Sequence, residues 1–246
     1  MFFGFTNTDL IKLCPDLIDM PDVTIQHVNH ILYFSILHFG ACMPNHYAFQ
    51  DESRELDWPT LVYVGALRAI PAWQREATGT RTDSAAGMLL ALTASEHFDF
   101  ALAWQMIELS SNYAKKIQLH ATDLDHSCDR PGVTDNERRD IWDLVSKNLV
   151  YRLLFNKLPG IGGDPSDWHV NLPRLDDTNT IGSTHGVPNP LAIVFLIRSR
   201  LTLTLMEHFQ IMRTDNPEMI IDTTERLCLD LLQTYDGWPI VSELSA

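Results

Sequence analysis

Apolar residues recur at three- and four-residue spacing along nearly the whole chain, and no stretch alternates apolar with polar residues for the length of a strand. That period belongs to the α-helix, where residues i, i+3 and i+4 share a face. Ile25, Val28, Ile31, Leu32 and Ile36 fit one such face, so a helix is predicted over Val23 to Ala41 with Asp22 as its cap. Asp57 and Pro59 open a second helix through Leu61, Val64, Leu67 and Ile70, which Pro71 is expected to kink or end. Thr82 and Asp83 open a third, Ser84 to about Ser95. The short turn Glu96-His97-Phe98-Asp99 leads to a fourth, about Phe100 to Leu119. Helices joined by so short a turn form an antiparallel hairpin.

Thr134-Asp135-Asn136-Glu137 is a capping box, in which the threonine hydroxyl serves the N3 amide and the glutamate reaches back to the cap. The helix it opens is expected to turn Ile141, Trp142, Val145, Leu149, Leu153 and Leu154 inward. Residues 159–190 read as a long loop, with proline and glycine among Asp, Ser, Thr and Asn. Two helices follow, about Leu191 to Arg213 and Pro217 to Tyr235. The expected fold is all-α, an irregular array of antiparallel helix hairpins in a single domain over 1–246.

The apolar fraction, 45%, is too high for an intrinsically disordered chain. The net charge is −14 and neither half is basic, which argues against a direct grip on nucleic acid by this chain alone. The nearest cysteines, Cys14 and Cys42, are 28 positions apart, so no zinc-finger spacing exists. The longest apolar run, Leu191 to Ile197, is cut by Arg198, and a bilayer span needs roughly 20 residues. The N-terminus lacks the pattern of a secretory signal, so an intracellular protein without a membrane partner is expected.

Residues about 82 to 173 carry a recognisable order of motifs. A helix is followed by a second bearing Ala103, Trp104 and Ala114 and ending near Leu119 and His120. Then come Glu137, Arg138, Arg139 and Trp142, then Lys157, Pro159 and Ile161 at a helix end, then Val170, Leu172 and Pro173. This order resembles the middle homology region of fungal zinc-cluster transcription factors. The resemblance implies an all-α fold, a fungal origin, a nuclear location and a role in regulating transcription. It implies a small-molecule effector or other transcription proteins as partners, in the control of a secondary-metabolite or catabolic gene cluster. The family's cysteine cluster, basic linker and dimerisation heptad are not found within residues 1–246. Asp143 stands where the family usually has a second tryptophan.

Several residues invite chemistry. Trp104, Tyr113 and Trp142 share helical faces with Leu and Ile, which suits either a ligand pocket or plain core. Arg138 and Arg139 suit an anion contact or pairing with Asp135 and Asp140. His97 and Asp99 at the hairpin turn, with His120 and Tyr113, are the candidates if the scaffold serves acid–base catalysis as a cytoplasmic cyclase or isomerase. His27 and His30 lie at i,i+3, and His120, His126 and Cys128 form a thin group. Neither set supplies the convergent ligands that zinc needs, so no metal and no cofactor are expected. Pro159-Gly160-Ile161-Gly162-Gly163 follows a helix instead of a strand and lacks the ending of a phosphate loop.

Overall fold

Every regular element among the described residues of the computed structural model is helical. It describes residues 5–18, 20, 22–42, 57–124, 133–161, 165–174, 190–214 and 216–236. Among the described residues eight α-helices run in order: α1 Thr8–Ile18, α2 His27–Cys42, α3 Trp58–Glu76, α4 Arg81–Glu96, α5 Phe100–Lys116, α6 Asp135–Leu154, α7 Pro190–Ile211 and α8 Pro217–Asp236. Among the described residues there is no strand, and no helix long and apolar enough to cross a membrane. The chain divides into two compact units, Met1–Gln118 and Leu119–Ala246, whose boundary falls inside the motif-bearing stretch.

In the first unit α2 packs against α1, α3 and α4, and α4 packs against α5. Helix α4 is buried almost all round, from Asp83 to Ala94. Its small residues allow this. A Cβ at Gly87 would stand 3.2 Å from the Ser110 Cβ and 3.3 Å from the Met106 carbonyl, so α5 lies nearly on the α4 backbone. Ser84 and Ser110 each donate a hydroxyl to the other's carbonyl, at 3.0 and 2.7 Å. These bonds answer two buried hydroxyls without any solvent.

The start of α4 is set by Thr80, not by Thr82 and Asp83. Thr80 Oγ1 accepts the Asp83 amide at 3.1 Å while Asp83 Oδ2 accepts the Thr80 amide at 2.9 Å, a second capping box. Asp83 Oδ2 also accepts the amide of Gly79, whose φ of +81° suits glycine. Its Oδ1 accepts the indole N–H of Trp73 at 2.9 Å. One buried carboxylate thus joins the end of α3 to the start of α4.

Two further expectations need correction. Helix α2 begins at His27, not Val23, because its first amide is capped from a distance: His27 N–H donates to Glu76 Oε2 at 3.3 Å. Pro71 lies inside α3, which runs on to Glu76 and closes where the Ala77 amide bonds to the Trp73 carbonyl. The prolyl ring forgoes one backbone bond without stopping a helix that is packed on α2.

In the second unit α7 packs against both α6 and α8. The Thr134–Glu137 capping box forms as expected and opens α6. Ile141, Trp142, Val145 and Leu149 are buried, but Leu153 and Leu154 are exposed, since α6 ends there. Asp143 accepts from Lys147 on its own helix and from Arg198 of α7 at 3.1 Å, so it serves an ion-paired contact between α6 and α7. Burial lowers the Lys147 pKa against the pull of Asp143. Of the stretch expected as a loop, Pro165–Asp167 forms one 3-10 turn and α7 starts at Pro190. Three helix ends, at Phe98, Gln118 and Asn156, have φ between +51° and +58° with no glycine present.

Candidate functional site

The turn between α4 and α5 gathers more chemistry than any other described part of the chain. Asp99 caps α5 through the Leu102 amide at 3.1 Å. Its other oxygen accepts the Tyr63 hydroxyl of α3 at 3.1 Å. Tyr63 stacks flat on the His97 imidazole, with ring centroids 4.1 Å apart and 7° between planes. Burial and the bond to Asp99 push the Tyr63 pKa well up, so its phenol stays a donor. Burial, and then the neighbouring His38, lower the His97 pKa, so a neutral imidazole is favoured there. Its Nε2 is buried without a hydrogen-bond partner.

Beside this turn, α2 presents His38 and Cys42 on one face, one helical turn apart. Packing of α2 on α4 brings the last residue of α4, Glu96, to the same place. His38 Nε2 is 3.1 Å from Glu96 Oε2, and Cys42 Sγ is 3.6 Å from the same nitrogen. His38 is only 1% exposed, whereas Cys42 and Glu96 reach solvent. Its ring stands 4.9 Å from that of His97. Burial and the Glu96 charge raise the Cys42 pKa. The spacing His-x-x-x-Cys within α2 is the signal in the sequence for this group; its third member comes from a helix 54 positions further on, which no local pattern shows.

Comparison with family models, with curated proteins and with solved structures finds no match for this chain.

The sequence-named residues are scattered over the two units. His97 and Asp99 meet at one turn. Tyr113 lies about 20 Å further along α5 at 1.5 Å per residue, edge-on to Trp73. His120 belongs to the second unit, where its carbonyl accepts the His169 amide at 2.7 Å. Trp104 is half-buried on α5. Trp142 is core: 4% exposed, with its N–H on the Asn171 carbonyl at 3.1 Å and its ring edge-on to Trp168. Arg138 does pair with Asp135, at 3.1 Å, but its main partner is Asp123, at 2.8 Å through one nitrogen and 3.1 Å through another. Arg139 is exposed and Asp140 buried. His27 is taken by Glu76, 2.8 Å from Nδ1, with the His30 ring 5.5 Å away. His126 and Cys128 lie outside the described residues.

A cleft of about 550 Å³ opens in the first unit, where the ends of α3 and α4 meet the chain before α2. Leu10 and Val28 give it apolar walls, with the buried Ile25 and Trp73 behind them; Thr24, Asn29 and Thr80 offer hydroxyls and amides, and Glu76 and Asp83 add carboxylates. Its aromatic residue is Trp73, not the Trp104, Tyr113 or Trp142 expected from the sequence.

Proposed function

We propose that this chain is the ligand-responsive module of a fungal transcription regulator, with its effector held in the cleft beside Trp73. The cleft carries this reading: about 550 Å³ is the size class of small-molecule sites, and its mixture of apolar walls with a few hydroxyls, amides and carboxylates is their usual chemistry. The motif order supports the regulatory side. In the second unit, residues of that order serve one packing arrangement. Leu119, Trp142 and Val170 are buried. Asp123 joins the region by accepting from Arg138 and from the Asn171 amide at 2.7 Å. In the first unit Ala103 and Ala114 are buried on α5.

In this reading an effector that prefers one packing of the first unit shifts the population toward it, and a transcription partner reads the change. The acidic charge fits a role through proteins instead of through a phosphate backbone. The test is a reporter driven in a fungal host by the full chain fused to a heterologous DNA-binding domain. Val28→Trp, which fills the cleft, is expected to change reporter output several-fold with the helical circular dichroism retained. Wild-type and variant outputs both equal to that of the DNA-binding domain alone would refute the reading.

A further inference from the structure

We propose that His38, Cys42 and Glu96 form a binding site for a thiophilic divalent cation, zinc by preference. This site is separate from the effector cleft and does not depend on the regulatory reading.

The spacing of the three ligand atoms supports it. A tetrahedral zinc with bonds near 2.0 Å to nitrogen and oxygen and near 2.3 Å to sulfur holds an N/O pair about 3.3 Å apart and an N/S pair about 3.5 Å apart. The observed separations are 3.1 Å for His38 Nε2 to Glu96 Oε2 and 3.6 Å for His38 Nε2 to Cys42 Sγ. All three ligand atoms lie within 4.8 Å of one another.

Without a metal, a neutral His38 donates from Nε2 to Glu96, and the Cys42 thiol also hydrogen-bonds that carboxylate. A cation between them takes all three lone pairs at once. The thiolate and carboxylate charges then balance a dication, and the imidazole stays neutral as ligation requires. The donor set selects the metal: thiolate with imidazole favours zinc over magnesium or calcium, which take oxygen ligands.

Three protein ligands leave one position for water, and the exposure of Cys42 and Glu96 lets solvent reach it. His97 follows Glu96 directly and has an unpartnered Nε2, so a further nitrogen donor stands next to the group. Because Cys42 ends α2 and Glu96 ends α4, the ion would tie two helix ends together.

The experiment uses the full chain, stripped of metal and kept reduced, titrated with cobalt(II) as a spectroscopic stand-in for zinc. The expected result is a thiolate-to-cobalt charge-transfer band saturating at one equivalent. Cys42→Ser abolishes the band, and separate serine replacements of Cys14, Cys128 and Cys228 leave it. Glu96→Gln weakens binding about tenfold or more. Zinc at a hundredfold excess over its Kd raises the melting temperature by about 5–10 °C, and not in Cys42→Ser. Cys42 and Glu96 are exposed, so both variants are expected to fold, with circular dichroism as the check. No charge-transfer band in the wild type, or a band that survives Cys42→Ser or depends on another cysteine, would overturn the proposal.

Discussion

Helices α4 and α8 reach opposite outcomes from opposite sequences. Helix α8 has the clearer apolar stripe, yet among its described residues Leu227 alone is buried, while Met219, Ile221, Leu229 and Leu232 are 49–65% exposed. Helix α4 has almost no stripe, being mostly Ala, Ser, Thr and Gly with a few large side chains, and it is buried from Asp83 to Ala94. Contrast between faces shows where a helix has an apolar side. Small side chains decide how near another backbone comes, and with it how much is buried.

The sharpest way to break this comparison is at Asp83, the polar centre of the buried region. Asp83→Ala strands the Trp73 indole and the Gly79 and Thr80 amides and removes a cap. The expected loss is about 3–4 kcal/mol of unfolding free energy in urea melts, with Asp83→Asn between it and wild type. A loss under about 1 kcal/mol would mean that the carboxylate is not what joins α3 to α4. Next comes Gly87→Val, expected to cost about 1–3 kcal/mol by forcing α5 away from α4. Leu229→Ser on α8, measured the same way, should stay within about 0.5 kcal/mol. Equal costs at the two sites would erase the difference between the helices.

A further substitution asks whether the second unit has a polar centre of its own. Arg138→Ala removes the pairing with the mostly buried Asp123 and is expected to cost about 1.5 kcal/mol. The smallest effect concerns the exposed partner of His27. Hydrogen bonds from the His27 ring and amide hold the Glu76 pKa below its ordinary value. A depressed carboxylate stabilises the fold above its unfolded pKa, about 4.3, and that contribution is lost as pH falls through the folded value. An NMR titration should find the Glu76 midpoint below the ordinary range and moved up in His27→Ala; no displacement would show that the link between α2 and α3 is not formed in solution.

What was legible in the sequence follows the range of the forces involved. The all-α class, the Thr134 box, the Asp99 cap and the start of α3 at Asp57 rest on neighbours a few positions apart, and all four were readable. The start of α2 was not, because Glu76 caps it from 49 positions away. Pro71 was expected to kink or end α3; it does not end it, because the packing that offsets its local cost comes from α2 and was not visible in the sequence. The tryptophans were legible as core material but not by role. Trp142 is core, and so is Trp73, which also borders the cleft. The His38–Cys42–Glu96 group shows the same limit: two ligands share one helix face, but only packing of α2 on α4 supplies the third.

Phe98, Gln118 and Asn156 close α4, α5 and α6 in a backbone region where a side chain is a burden and glycine is at ease. Asparagine tolerates that region, but phenylalanine does not, and Phe98 is 80% exposed, so it gains little from its neighbours there. The polypeptide therefore keeps a reserve of firmness that glycine at 98 and 118 would release, a practical route to sturdier preparations.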